Sequence, residues 1–442
     1  MNDLSKETRT PLWTLLVLAF AACSPAPTPR LNPSPSAEPT HTKPPMTART
    51  LTPTPGTTAT PTPWVPTSSP APSVAPNSSP TPAPFPVDSV TFRSIQMMDL
   101  KTGWASAYLE SEEETRIFHT ADGGVTWLDV SPVETYSLGS FFLDGQVAWV
   151  WAGNGGPAWR SLDGGASWTL MGEFGWQSDL GFTDRQHGWD LKAEYWGLSF
   201  VQVDIISFST TQDGGQTWQE TNPPPNRGSV FMAYPSAQMA WAVRAGFAKS
   251  IGGVPNLGVP FHVQTTFDGG GTWTTRQMPL PPEATRLERP YEGTYFSGFG
   301  NCDFVSPVYS STAIWKLALT CEGGSWMYTS ANQGKTWIIS DMPAGLDADI
   351  EFIDPSNGWL LIGDPYESSE GHLYRTTNGG QSWSLIKRTG WTDARLSFVD
   401  TQTGWAVACA DAYCYQRKVQ QTLIKTSDGG QTWQKVEPEF SR

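Results

Sequence analysis

One eight-residue pattern recurs seven times in this chain of 442 residues and constrains its fold more than any other feature. Its frame is Ser or Thr, any residue, Asp or Asn, any residue, Gly, any residue, Ser or Thr, and Trp, as in residues 426–433. The Asp or Asn can accept hydrogen bonds from turn amides, the Gly allows a positive φ, and the Trp begins the next strand. Each octamer therefore predicts a β-hairpin turn. The third and eighth positions are Asp122 and Trp127, Asp163 and Trp168, Asp213 and Trp218, Asp268 and Trp273, Asn332 and Trp337, Asn378 and Trp383, and Asp428 and Trp433.

The tryptophans of the octamers are expected to anchor the core. Burying one Trp side chain removes about 150 to 250 Å² from water, which at ~25 cal/mol per Å² is worth at most roughly 4 to 6 kcal/mol. Seven such side chains predict a large hydrophobic core built around the octamers.

A second motif precedes each octamer and ends in Gly-Trp. The clearest copy is residues 398–405, and looser copies end at Trp149, Trp241 and Trp315. A unit of four strands, joined by these two turns and a variable loop, spans roughly 50 residues, which suits one propeller blade. The chain is therefore predicted to be all-β, with a seven-bladed β-propeller of four-stranded blades over residues 87–442.

The octamers resemble the Asp-box, or bacterial neuraminidase repeat, found in sialidases, sortilin-type receptors, some glucan hydrolases and photosystem II assembly factors. Asn332 and Asn378 replace the Asp of that repeat, and Gln333 replaces its commoner Gly. Over residues 90–435 the pairing of Gly-Trp with the octamer resembles the photosystem II assembly and stability factor family more than the sialidases. The resemblance implies an assembly or stability factor.

The amino terminus resembles a lipoprotein-type signal peptide, residues 1–22. Basic residues precede an apolar run at 12–22 that is too short to cross a bilayer of ~30 Å at about 1.5 Å per residue. The Phe-Ala-Ala-Cys sequence that ends at Cys23 resembles a bacterial lipobox, in which the Cys becomes the lipid-modified amino terminus. Cys23 is therefore the predicted lipid anchor. The alternative is a secretory signal with an incidental Cys, which would leave the protein secreted.

Residues 23–86 hold more than half of the chain's 38 prolines, interleaved with Thr, Ser and Ala. Proline lacks an amide donor and favours polyproline II, so this segment is predicted to be an unfolded, semi-rigid spacer outside the cytoplasm. The net charge of −14 disfavours nucleic acid and anionic membranes as partners, because both require a basic face. Membrane contact is expected through the lipid anchor only.

Four further cysteines form two local pairs, Cys302 with Cys321 and Cys409 with Cys414. Two disulfides in an oxidising compartment are predicted. A metal site is the weaker alternative, because the pairs are far apart and no His accompanies either. Calcium at the octamers is not expected, since each turn supplies one carboxylate where the ion takes about six to eight oxygens. We predict no metal and no cofactor.

The two repeated turns are predicted to share one face of the propeller. The remaining loops fall on the opposite face, which we call the insertion face because it receives every long insertion. Loops on a rigid scaffold usually carry recognition, so binding residues are sought there. The insertions are residues 192–203, 244–262, 279–301, 363–372 and 410–420.

Arginine and aromatic side chains on this face are the candidate ligand-binding residues. Aromatic rings can stack on sugars or anchor a peptide, and Arg can bind a carboxylate through two hydrogen bonds. Three arginines near the start of predicted innermost strands, in blades 1, 4 and 7, resemble the arginine triad of sialidases and the arginine patch of the photosystem factors. The alternative is that they are ordinary surface residues. The candidates are Arg93, Arg227, Arg395, Trp196, Arg286, Arg289, Tyr291, Tyr295 and Trp391.

The sequence points to binding more than to catalysis. Its histidines are scattered, and neither a Gly-x-Ser-x-Gly elbow nor a Walker loop is present. The favoured prediction is a monomeric, exported, membrane-anchored propeller that binds an extracytoplasmic protein or glycan. The alternative is a glycoside hydrolase of sialidase-like or glucan-cleaving type, with Asp179, Glu292 and Asp349 as acids near the channel. A purely structural envelope protein is the third possibility.

Overall fold

The computed structural model is all-β over the residues it describes, and no α-helix occurs among them. None of these residues forms a helix long and apolar enough to cross a membrane. The predicted signal peptide, Cys23 and the spacer up to residue 83 lie outside the described part of the chain. The described residues are 84–85 and 90–442, apart from 135–137, 154, 174–177, 197–201, 226–229, 245–261, 280–301, 322–323, 344–347, 364–369, 411–412 and 415–418.

Seven antiparallel meanders of four strands follow one another along the chain, which confirms the predicted seven-bladed propeller. Blades 1 to 3 are β2 (Val90–Met97), β3 (Gly103–Leu109), β4 (Glu114–Thr120) and β5 (Thr126–Asp129); β6 (Leu138–Phe142), β7 (Ala148–Ala152), β8 (Pro157–Ser161) and β9 (Thr169–Glu173); and β10 (Ser178–Phe182), β11 (Gly188–Trp196), β12 (Gln202–Thr211) and β13 (Gln219–Thr221). Blades 4 and 5 are β14 (Val230–Ser236), β15 (Met239–Arg244), β16 (His262–Thr266) and β17 (Thr274–Gln277); and β18 (Cys302–Ser310), β19 (Trp315–Cys321), β20 (Gly324–Ser330) and β21 (Ile338–Met342). Blades 6 and 7 are β22 (Ala348–Phe352), β23 (Gly358–Ile362), β24 (Gly371–Thr376) and β25 (Ser384–Thr389); and β26 (Asp393–Phe398), β27 (Gly404–Cys409), β28 (Gln421–Thr426) and β29 (Gln434–Lys435).

The first strand of each blade lies innermost, around the central channel. Neighbouring sheets contact each other mainly through these strands, as β18 does with β22, β22 with β26, and β26 with β2. Both repeated turns therefore lie at one end of the channel, and the insertion face lies at the other.

Two short strands from the chain ends close the ring on blade 1. β30 (Glu439–Ser441) pairs in parallel with the outer strand β5, and β1 (Pro84–Phe85) pairs antiparallel with β30. Phe440 on β30 is 2% exposed, and its ring centroid lies 5.6 Å from that of Phe92 and 5.3 Å from that of Phe118. β1 thus lies within the last residues of the predicted spacer.

The octamers form turns held by their own side chains, as predicted. Asp122 Oδ1 accepts the amide of Thr126 at 2.9 Å, and its Oδ2 accepts the Thr126 hydroxyl at 2.6 Å. The amide of Gly124 donates to the hydroxyl of Thr120 at 3.0 Å. Because these bonds are all local, a short sequence frame suffices to specify the turn.

The departures from the frame keep this geometry. Asn378 Oδ1 accepts the amide of Ser382 at 3.0 Å, and its Nδ2 donates to the Ser382 hydroxyl at 2.9 Å. Gln333 adopts a φ of 61°, in the left-handed region that Gly occupies in the other copies. Its side chain donates to the carbonyl of Thr312 at 3.1 Å, which holds the residue in that conformation.

The deepest core lies at the Gly-Trp motifs, which corrects the expectation that the octamer tryptophans anchor it. The motif side chains Trp104, Trp149, Trp189, Trp241, Trp359 and Trp405 are at most 1% exposed. Of the octamer tryptophans, Trp127 is fully buried and the other six are half-buried. The reason is position: an octamer Trp begins the outermost strand of its blade, and only on blade 1 does β30 cover that strand.

Blade 5 departs from the Gly-Trp motif, and its register corrects the sequence alignment. Trp315 pairs with the first residue of the octamer, which is the place of Gly404 in blade 7. Lys316 therefore occupies the position of the Trp. A Cβ at Gly404 would meet the ring of Phe398 at 2.4 Å, whereas the residue opposite Trp315 is Ser310, which leaves room for an indole.

Candidate binding site at the channel mouth

Four charged residues lie near the start of the innermost strands of blades 6, 7 and 1, on the insertion-face side of the channel. They are Asp349 on β22, Asp393 and Arg395 on β26, and Arg93 on β2. We call these residues the 6–7–1 mouth. Two of the three predicted arginines, Arg93 and Arg395, thus stand on strands that contact each other.

Arg395 forms an ion pair with a neighbour on its own strand. Its Nη1 lies 3.3 Å from Oδ1 of Asp393, and the two side chains are 29% and 14% exposed. Residues two apart on a strand share a face, which makes this pairing local. The other oxygen of Asp393 accepts the amide of Cys414 at 2.6 Å. One carboxylate therefore links the arginine to the insertion loop of blade 7.

Arg93 occupies a β-bulge. The register of β2 against β3 shifts between Phe92 and Ser94, which makes Arg93 the extra residue. A bulge redirects its side chain relative to a regular strand and is frequent beside functional sites. The guanidinium carbon of Arg93 lies 5.4 Å from the ring centroid of Tyr108, within cation–π distance.

Two acids of blade 6 bind the backbone of blade 7. Asp349 Oδ2 accepts the amide of Leu396 at 3.0 Å, and the carboxylate oxygens of Glu351 lie 2.9 and 3.0 Å from the amide nitrogen of Phe398. β26 is the edge strand of its sheet. Its channel-facing amides have no neighbouring strand in the same sheet, so the carboxylates supply acceptors that an edge strand lacks.

Burial raises the pKa of both acids. The pKa of Glu351 rises to about 8; burial is the main cause, the Phe398 amide opposes it, and the charge of Asp349 adds to it. The pKa of Asp349 rises to about 6, mainly through burial, with the Leu396 amide and Arg395 opposing. By solvent-accessible area, the side chains of Asp349 and Glu351 are half-buried. Protein surrounds the two carboxyl groups closely, although the side chains keep some exposed area. Glu351 therefore retains its proton at neutral pH.

The hydrogen bonds between blades 7 and 1 are made by neutral groups. The amide of Met97 donates to the hydroxyl of Ser397 at 2.8 Å. Gln421 accepts the amide of Phe92 at 2.7 Å and donates to the Phe92 carbonyl at 2.9 Å. The same Gln421 amide group donates to the carbonyl of Cys414 at 3.0 Å.

The predicted disulfide between Cys409 and Cys414 is confirmed, with Cα atoms 5.6 Å apart. Its sulfurs are therefore not available to a metal. Cys302 and Cys321 lie directly opposite each other on β18 and β19, a separation that a disulfide can span. Their side chains lie outside the described structure, so that bond stays a prediction. Among the described residues, no group of three or more His, Cys, Asp or Glu is placed to hold a metal ion.

The other sequence candidates do not join this mouth among the described residues. Trp391 is half-buried, and its ring packs edge-on against Trp433 with centroids 5.8 Å apart. Trp196 ends β11, and its side chain is not described. Five candidates lie outside the described residues: Arg227, Arg286, Arg289, Tyr291 and Tyr295.

Sequence reasoning missed Asp393, Glu351 and Gln421. A signal existed for the first two, because charged residues alternate as Asp349-x-Glu351 and Asp393-x-Arg395 on strands predicted to be innermost. Such alternation places charge on one face of a strand. Gln421 gave no signal, since its bonds depend on the contact between the first and last blades.

No family model matches this chain, and no curated protein matches it. Solved structures are similar to it in fold. YCF48 from Cyanidioschyzon merolae has a TM-score of 0.42 and 16% identity, over 67% of this chain and 83% of that one. A structure of YCF48 bound to D1 peptide has a TM-score of 0.38 and 14% identity, over 79% and 81%. The polysaccharide lyase Uly1 has a TM-score of 0.49 and 8% identity, over 76% and 89%. At TM-scores below 0.5 and these identities, the likeness decides neither activity nor partner.

Proposed function

We propose that this protein is an exported, membrane-anchored β-propeller that binds an extracytoplasmic protein or glycan through its insertion face and catalyses no reaction itself. Export and anchoring are supported by the basic and apolar amino terminus, the lipobox-like residues before Cys23 and the proline-rich spacer. The Cys409–Cys414 disulfide supports an oxidising compartment.

The observation that carries a binding role over a catalytic one is the use of the channel acids. A glycosidase needs a carboxyl pair that reaches the scissile bond or a water molecule. Here Asp349 accepts the Leu396 amide, and Glu351 is held at the Phe398 amide. Both acids thus complete the wall between blades 6 and 7, which fits a scaffold better than a catalytic centre.

Recognition would use the mouth and the loops around it. Arg93 and Arg395 offer planar sets of donors to an acidic group of the partner, and aromatic side chains of the insertion loops add contact area. The resemblance to photosystem II assembly factors makes a membrane protein in the course of assembly the first partner to seek.

Photo-cross-linking of the full-length protein in its own envelope, with a glycan array in parallel, tests this proposal. We expect a specific protein or glycan to be captured by the wild type and lost in the Arg93→Ala/Arg395→Ala variant. The control is Arg185→Ala, which removes an exposed arginine from the turn between β10 and β11, at the opposite end of the channel. Capture that is the same in all three proteins would contradict the proposed site. A Cys23→Ala variant that still fractionates with the membrane would contradict the lipid anchor.

A glycoside hydrolase is the second candidate, because Glu351 keeps a proton at neutral pH as a general acid must. A fluorogenic-glycoside screen decides between the two. Turnover that disappears in Glu351→Gln, in a variant that remains folded, would replace the binding role with the hydrolase.

A further inference from the structure

The insertion loop after β27 is bonded to both arginine-bearing strands. The Cys409–Cys414 disulfide closes its first turn. On one side, the amide of Cys414 donates to Asp393 at 2.6 Å, and the other oxygen of that carboxylate lies 3.3 Å from Arg395. On the other side, the carbonyl of Cys414 accepts the side-chain amide of Gln421 at 3.0 Å.

Gln421 carries the connection to blade 1. Its side chain binds both the amide and the carbonyl of Phe92, at 2.7 and 2.9 Å. The next residue is Arg93, the extra residue of the bulge in β2. Because two bonds fix the peptide groups of Phe92, they also fix where the bulge begins and so where the Arg93 side chain leaves the strand.

The closed turn is part of the packed wall of blade 7. Cys409 and Cys414 are 0% and 1% exposed. The amide of Thr392 donates to the carbonyl of Cys409 at 3.0 Å, and its hydroxyl donates to the carbonyl of Ala410 at 3.0 Å. These bonds hold the turn against the residue before Asp393, independently of the two links described above.

We propose that the Cys409–Cys414 turn is the positioning element of the 6–7–1 mouth, and that it sets the placement of Arg93 and Arg395 through Gln421 and Asp393. Asp393 and Gln421 are positioning residues, while the two arginines are the groups that meet a partner. The purpose of this arrangement rests on the proposed binding function. The arrangement itself can be tested without a ligand.

Modification by phenylglyoxal, followed at each arginine by peptide mass spectrometry on the folded full-length protein, measures how firmly the two guanidinium groups are held. In Cys409→Ser/Cys414→Ser we expect both Arg93 and Arg395 to react about two- to fivefold faster, the change expected when a partly exposed interaction is loosened. The matched control is Cys302→Ser/Cys321→Ser, which changes the other cysteine pair and should leave both rates unchanged.

Two single variants test the Asp393 and Gln421 connections separately. They also cover the case in which the double Ser variant does not fold. Asp393→Asn should accelerate Arg395 and leave Arg93 unchanged. Gln421→Met should accelerate Arg93 and leave Arg395 unchanged. Arg160, which donates to the carbonyl of Gly214 in the octamer of blade 3, is the internal reference in every sample.

Unchanged rates in a folded Cys409→Ser/Cys414→Ser protein, or a rise at one arginine alone, would overturn the proposal. Unchanged rates in both single variants would overturn it as well. The assay contains no partner. A failed search for partners would therefore contradict the proposed function but not the proposal that Cys409–Cys414 positions the two arginines. Conversely, if a partner were found but the modification rates were unchanged, only the positioning proposal would be contradicted.

Discussion

The ammonium group of Lys316 in blade 5 donates to the carbonyl oxygen of Gly379, in the octamer of blade 6, at 2.7 Å. Its nitrogen also lies 5.1 Å from the ring centroid of Phe352. An indole makes the corresponding contact with the octamer of the next blade elsewhere: Trp149 with Gly214, Trp359 with Gly429 and Trp405 with Gly123, all at 2.9 Å. Lys316 thus replaces a Trp as the donor between two blades.

Because Lys316 stands where other blades have a Trp, the free energy of unfolding should depend on pH in the alkaline range. Burial lowers the pKa of Lys316 from 10.5 to about 8. Between these values the unfolded chain binds more protons than the folded one, so the free energy of unfolding should rise with pH. We expect the wild type to gain stability relative to Lys316→Met as pH increases from about 8 towards 10, by up to roughly 1.4 kcal/mol for each unit of pKa difference. Urea unfolding over this range measures it. Lys435→Met, at a side chain that is 59% exposed, is the control and should give a flat difference.

Glu351 is expected to act in the opposite direction. Its pKa is raised from 4.5 to about 8, so the folded protein keeps a proton that the unfolded chain loses. The stability this group contributes is complete below about pH 4.5 and is lost as pH rises towards 8. Glu351→Gln stays neutral and can still accept the Phe398 amide. It should match the wild type near about pH 4 and exceed its stability near about pH 9.

Thermal unfolding of the two proteins across this range measures the effect of Glu351. Glu173→Gln on the exposed edge of β9 is the matched control and should follow the wild type throughout. A Glu351→Gln protein that is equally stable to the wild type at alkaline pH would show that the carboxyl group ionises freely.

The sequence predicts the blades well because every bond of an octamer turn is local, as Asp122 with Thr126 illustrates. It predicts contacts between blades less well. The sequence pattern aligns Trp315 with the Trp of the motif, yet Trp315 holds the Gly position and stacks on Trp241 of blade 4 with ring centroids 5.0 Å apart. The hydrophobic pattern is the same in both cases, and only strand register distinguishes them.

In the candidate site, too, the sequence predicts single positions better than contacts between blades. Arg93 and Arg395 could be placed near the channel from their position ahead of Gly-Trp. Their partners could not, because the bonds of Gln421 to Phe92 join residues 329 positions apart. The bulge at Arg93 likewise has no marker in the sequence, since it depends on the register between two strands.

Closure of the ring should depend on Phe440. Its ring packs against Phe92 and Phe118, and its strand covers the outer edge of blade 1. Phe440→Ala is expected to cost about 3 to 5 kcal/mol, the usual range for a large buried aromatic. Arg442→Ala removes an exposed partner of Glu112 and should cost no more than about 1 kcal/mol. Chemical denaturation compares the two, and similar losses would show that β30 does not close the ring through its core contacts.

The octamers provide an internal comparison of Asp with Asn. Asp428 accepts both the amide and the hydroxyl of Thr432, and these bonds lower its pKa to about 2. A pKa lowered from 3.8 means that this stabilisation is present above about pH 4 and is lost as pH falls towards 2. Asp428→Asn should reproduce the hydrogen bonds of Asn378 and cost little at neutral pH. It should also abolish the loss of stability at acidic pH. Asp428→Ala leaves turn amides without an acceptor and should cost about 1 kcal/mol at neutral pH, a cost that shrinks as pH falls and the wild type loses the same stabilisation. Unfolding measured from neutral to acidic pH distinguishes the three proteins. If Asp428→Asn and Asp428→Ala lost equal stability, the turn would depend on the negative charge and not on the hydrogen-bond geometry that Asn378 reproduces.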